Sequence, residues 1–169
     1  MTYYIGQFIG ILVTIGAVIN LQLKKKNQMY ILSIVVNLLS SLNIFLLSGK
    51  ADSGVIICAV AVLQILMAIW HDKKGTDAKI PEMILFLVLY VGGGLLGYKS
   101  PVDILSIAAA VLYMAAMFQK KEQNIRLFLL GNMSCWTVYH IILGSTAVFA
   151  QIAGIISSLV ALFRYRKNK

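Results

Sequence analysis

Apolar residues run through this chain in long stretches, broken only by short polar or basic gaps. Seven such stretches can be traced, at about 3–23, 29–48, 53–70, 80–98, 102–118, 125–143 and 146–163. Each is near the length a helix needs to cross a bilayer at about 1.5 Å per residue. No sustained two-residue alternation is present, so a β-barrel is not expected. The gaps are too short for anything but antiparallel neighbours or nearly so. The pattern predicts an all-α integral membrane protein with seven transmembrane helices.

Polar positions inside the stretches carry the functional expectation. The sixth contains Leu130-Gly131-Asn132-Met133-Ser134-Cys135-Trp136-Thr137-Val138-Tyr139-His140. At about 100° per residue, Asn132, Trp136, Tyr139 and His140 share roughly a 100° arc of one helix face. The second stretch repeats this with Ser33, Asn37, Ser40, Ser41 and Ser48, while Asn43 points elsewhere. Polar groups at membrane depth are costly unless they meet a cavity or one another. Asn37, Ser41, Asn132, Trp136, Tyr139 and His140 are therefore expected to contact a solute in a central cavity. In the competing reading they tie helices together by hydrogen bonds and packing. His140 adds a candidate proton site, because an unperturbed imidazole titrates near physiological pH. Elsewhere Gly6 and Gly10 are spaced for close helix contact, Gln64 is a lone deep polar residue, and Gly92-Gly93-Gly94 with Gly97 suits a thin helix wedged between bundles.

Composition agrees with a membrane chain: of 169 residues, 60% are hydrophobic and only 12% charged, with a mean hydropathy of +0.85. In a soluble protein a net charge of +9 would suggest nucleic acid or an acidic surface. Here the position of the charges overrides that reading, because 13 of the 15 Lys and Arg fall in alternate gaps and at the C-terminus. Only Lys50 and Lys99 occupy the other gaps. The positive-inside rule then places the N-terminus outside and the C-terminus in the cytoplasm. The first Lys is Lys24, so no basic region precedes the first apolar stretch and no cleaved signal is expected. Cys58 and Cys135 lie within spans and read as small buried hydrophobes. With no metal-ligand cluster, phosphate-binding loop or paired carboxylates in a span, neither an enzyme nor a cofactor is expected.

An internal echo appears at an offset of 95 residues. Lys25-Lys26-x-Gln28 matches Lys120-Lys121-x-Gln123, Asn37 matches Asn132, and Gly49 matches Gly144. The offset lays the first three spans on the last three in the same orientation, with the fourth as an inverting linker. Two parallel repeats of this kind are a recurring transporter plan. The expected division is a three-helix bundle at 1–74, a linker helix at 75–100 and a second three-helix bundle at 101–169, a 3+1+3 layout.

Gln7-x-x-Gly10, Phe45-Leu46-Leu47-x-Gly49, Ser134-Cys135-Trp136-x-x-x-His140-x-x-x-Gly144-Ser145 and Arg164-Tyr165-Arg166 together resemble the bacterial inner-membrane YgjV-type family. That resemblance implies a multi-pass protein of the bacterial plasma membrane. Its layout is similar to that of the SWEET sugar transporters, the PQ-loop proteins and the PnuC vitamin transporters. In SWEET-type carriers an aromatic residue and an Asn grip the solute, which the resemblance would assign to Trp136 with Asn37 and Asn132. The chain departs from those relatives in lacking a Pro-Gln pair and a proline-kinked first helix in either triplet. The leading expectation is a transporter of a small neutral polar solute, sugar-, nucleoside- or vitamin-like. The alternative is a non-transporting receptor or scaffold for a protein or lipid partner.

Overall fold

The computed structural model describes residues 1–23, 26–76, 79–117, 119 and 122–167. Lys25, Lys120 and Lys121, which carry part of the offset-95 echo, lie outside the described residues. Seven α-helices and no strands occur among those described: α1 (Thr2–Gln22), α2 (Lys26–Ser48), α3 (Ser53–Lys74), α4 (Ile80–Leu96), α5 (Asp103–Met117), α6 (Glu122–Leu143) and α7 (Val148–Lys167).

Helix boundaries follow local chemistry. The Asp52 side chain accepts from Val55 N at 3.3 Å and starts α3. Pro81 sits in the first turn of α4, where a missing N–H costs little. The Glu82 carboxylate accepts from Lys79 N at 2.9 Å and closes that start. Gly49 and Gly144 end α2 and α6 with φ of +70° and +67°, a conformation that penalises any side chain. At 95 residues apart, they occupy corresponding places. So do the α2 and α6 ends, Ser48 and Leu143, and the α3 and α7 starts, Ser53 and Val148.

Three helical stretches, Thr2–Asn20, Asn27–Ser48 and Ser53–Lys74, are long and apolar enough to cross a membrane. Ile80–Leu96, Asp103–Ala116 and Val148–Val160 are shorter apolar helices. α6 has 22 residues but falls outside both sets. Arg126, Asn132 and His140 dilute its apolar character.

Neighbouring helices pair α1–α2, α2–α3, α5–α6 and α6–α7, while α3 meets α5 and α1 meets α7. These six form a ring. α2 touches α6 across it, and α4 packs against both α3 and α5. A Cβ on Gly93 would lie 2.8 Å from Ile56 and one on Gly94 2.6 Å from Ile107. Those two glycines thus let α4 settle into the α3–α5 groove.

Every helix runs between two ends of the bundle. One end gathers Gly49, Gly144 and the starts of α3, α5 and α7; the other gathers the end of α3, Gly75 and the start of α4. They are called the glycine end and the Lys74 end below.

Candidate functional site: a central cavity

Inside the ring lies a cavity of about 410 Å³ to which all seven helices contribute. Asn37, Ser33 and Ser40 reach it from α2; Asn132, Trp136 and His140 from α6; Gln64 from α3; Tyr90 from α4; Tyr113 from α5; Gln151 from α7. Along α2 its walls run from Tyr30 to Ser40, about 15 Å of helix. None of its described lining residues is Asp, Glu, Lys or Arg.

Four of the six residues expected at a site meet on this wall, namely Asn37, Asn132, Trp136 and His140. Ser41 and Tyr139 do not line it. Ser41 donates to Val55 O on α3 at 3.3 Å. Tyr139 is buried beside the start of α3, where a Cβ on Gly54 would lie 2.6 Å from its hydroxyl. Both stand at the margins of the arcs drawn from sequence, where a helix face turns from the cavity to its neighbour.

The four cavity residues are held in different ways. Asn132 Nδ2 crosses to Ala109 O on α5 at 2.7 Å, whereas Asn37 Nδ2 donates to Ser33 O on its own helix at 2.8 Å. Trp136 stacks on His140 with centroids 5.8 Å apart and meets Tyr139 edge-on at 5.4 Å. His140 is buried, and among the described residues its Nδ1 has no hydrogen-bond partner. Tyr90 donates to Gln64 Oε1 at 2.6 Å, and Gln64 Nε2 faces Met114 Sδ at 3.7 Å.

A second space of about 480 Å³ adjoins the cavity towards the Lys74 end and includes His71, Asp72, Thr76 and Glu82 in its lining. Tyr30, Gln64, Ile65 and Tyr113 line both spaces and so form the partition between them. Tyr30 was not singled out from sequence. It sits near the start of α2, where an aromatic reads as an ordinary interface residue.

Towards the glycine end the helices are tied together by hydrogen bonds, and His140 lines both the cavity and an outer space of about 370 Å³ shared with Gln7 and Ser145. Asn43 donates to Gly6 O at 2.7 Å and accepts from Ser145 Oγ at 2.6 Å. Gln7 Nε2 donates to Gly144 O, and Gln7 Oε1 accepts from Thr146 N at 2.9 Å. Across the bundle Ser53 and Ser106 share a hydrogen bond at 2.6 Å, and Ser106 donates to Asp103 O at 2.8 Å. Asn43, Ser53 and Ser106 have no exposed surface.

The family model for a bacterial inner membrane protein, Imp-YgjV, matches residues 4–169, nearly the whole chain. The chain belongs to the Imp-YgjV family. It is thus a membrane protein of a bacterial inner-membrane family, as the motifs around Trp136 and His140 suggested. No curated protein and no solved structure matches it.

Proposed function

We propose that this family member carries a small neutral polar solute, sugar-, nucleoside- or vitamin-like, across the inner membrane through the central cavity. The observation that supports this most is the wall itself: amides, hydroxyls, an imidazole and aromatic rings from α2 to α7, with no charged side chain among its described residues. An ion would lose hydration there without a countercharge, whereas hydroxyls and ring faces find partners. No residue is assigned a chemical step, and the reading is of a carrier and not an enzyme.

In this reading all seven helices span the membrane, with the N-terminus outside, the C-terminus in the cytoplasm and the Lys74 end inward. The skew of Lys and Arg supports that orientation. Two parallel repeats, 1–74 and 101–169, joined by the helix in 75–100 complete it. Exchanging α1–α3 with α5–α7 leaves the pairs among the six ring helices unchanged, although α4 packs on α3 and α5 alone, and Gly49 and Gly144 share a left-handed backbone.

The test is a thermal-shift screen of the purified full chain against neutral sugars, nucleosides, vitamins and amino acids. A stabilising solute is expected, and Asn132→Leu is expected to abolish its effect while the protein still folds. Trp136→Ala should weaken binding by about 1–3 kcal/mol if the ring stacks on the solute, as aromatic stacking does elsewhere. The receptor or scaffold reading replaces this one if no solute stabilises the wild type and both variants simply unfold.

A further inference from the structure

The two histidines of the chain are held in opposite ways. His71 spends both ring nitrogens, with Nδ1 2.8 Å from Thr76 Oγ1 and Nε2 2.8 Å from Glu82 Oε2. His140 is also buried, yet among the described residues its Nδ1 meets no partner. A nitrogen sealed in that way costs free energy that a phenylalanine of similar shape would not. Packing on Trp136 therefore does not by itself account for an imidazole here. The ring also stands at a boundary, because it lines both the central cavity and the outer space at the glycine end.

A charge on this ring has nothing to answer it. Among the described residues no Asp, Glu, Lys or Arg lines either space. The other titratable groups on the two walls are Tyr3 on α1, Tyr30 on α2, Cys58 on α3, Tyr90 on α4 and Tyr113 on α5, and α7 brings none. On its own helix Tyr139 meets the ring edge-on. Asp52 and Asp103 line a separate small space with Tyr139, from which His140 is absent. A protonated His140 in this position is a buried cation without a countercharge, and the Trp136 face offsets only part of that cost. In water the same ring takes up a proton near neutral pH. Proton binding therefore favours a conformation in which the ring is wet.

We propose that His140 is a proton site that couples carriage to the proton gradient: the neutral ring divides the two spaces, and the protonated ring moves into the outer one and joins them. The proton comes from water at the glycine end and adds to the lone pair of the ring. It leaves to water reached through the central cavity, and the ring returns neutral. The proposal rests on the carrier reading and its outward glycine end, and it supplies the driving ion.

The full chain is labelled with nitrogen-15 histidine and titrated in detergent, and His71→Phe assigns the two imidazoles. The His140 ring is expected to become cationic reversibly between about pH 7 and 5 while circular dichroism shows a folded protein. Protonation that coincides with acid unfolding overturns the proposal. Opening is read in intact cells, where Asn132→Cys, with Cys58 and Cys135 replaced, meets a membrane-impermeant thiol reagent. Its labelling is taken relative to that of the exposed Lys50→Cys. It should rise about tenfold from pH 7.5 to 5.5, as the protonated share of an ordinary imidazole does, and His140→Gln should abolish the rise. No rise, or an equal rise in His140→Gln, overturns the proposal. If a solute stabilises the protein while His140 stays neutral, proton coupling falls and the carrier reading stands. If His140 titrates but no solute stabilises the protein at any pH, the carrier reading falls and the coupling with it.

Discussion

The two ends of the helix ring use polar residues for opposite purposes. At the glycine end side chains are spent on backbone carbonyls and on one another: Asn43 on Gly6, Gln7 on Gly144, Ser106 on Asp103, and Ser145 on the Asn43 side chain. The helices are drawn together there on glycine and serine. At the Lys74 end the side chains are larger and the helices part around about 480 Å³. The tie seen there is His71, whose Nε2 meets Glu82 Oε2 at 2.8 Å and whose Nδ1 meets Thr76 Oγ1 at 2.8 Å. Polarity alone therefore does not mark a solute site in a membrane bundle. What marks it is a polar atom left over after the helices have been joined.

Packing at the glycine end should give the largest effect. A Cβ on Gly10 would strike Thr146 Oγ1 and come within 3.0 Å of Ala147 N and 3.1 Å of Asn43 Nδ2. Gly10→Val is expected to cost about 3 kcal/mol or more, because the α7 start cannot retreat. Gly92 has nothing within 4 Å of such a Cβ, so Gly92→Ala should be neutral or stabilise its helix by up to about 1 kcal/mol. Thermal unfolding in detergent compares the two.

Next come the two asparagines of α2. Asn43→Leu leaves Gly6 O and Ser145 without their partner and should cost about 2–3 kcal/mol. Asn37→Leu loses one bond within its own helix and should cost less than about 1 kcal/mol while impairing solute binding. If Asn37→Leu proved the more damaging to folding, the division between seal and site would fail.

At the Lys74 end, Glu82→Leu or His71→Phe removes the tie between α3 and α4. Either should lower thermal stability slightly and leave reagent access at the glycine end unchanged.

The smallest effect is a pH dependence at the seal. Burial, with Asp103 nearby, holds the Asp52 carboxyl above its ordinary value. An acid raised in the folded state penalises folding when ionised, and that penalty is relieved as pH falls through its folded pKa. Asp52→Asn keeps a capping side chain. It should stabilise the protein slightly at neutral pH and remove this gain on the acid side.

Much of the fold was legible because helix limits are written in local chemistry. Asp52, Pro81, Gly49 and Gly144 stop or start helices wherever they occur, so the seven apolar stretches match the seven helices within a few residues. α3 exceeds its expected limit by a turn, since Gly75 and not Trp70 ends it. Of the stripe on α6, Asn132, Trp136 and His140 line the cavity. Tyr139 on α6 and Ser41 on α2 were not separable from the cavity-facing residues of their own helices by periodicity. A helix packed against two or three others shares a 100° arc between cavity and interface, and only the neighbours decide which residue goes where. The link of His71 to Glu82 and the partition at Tyr30 and Tyr113 depend on contacts between helices, which no single-helix pattern contains.

The most direct test of the contrast is reagent access at its two sides. In a background with Cys58 and Cys135 replaced, Asn132→Cys and Ser145→Cys are treated with a small water-soluble thiol reagent, with and without a stabilising solute. Asn132→Cys should react readily and be protected by the solute, while Ser145→Cys stays unreactive until the protein is unfolded. Equal reactivity at both positions, or ready reaction at Ser145→Cys alone, would contradict an accessible cavity beside a tightly tied glycine end.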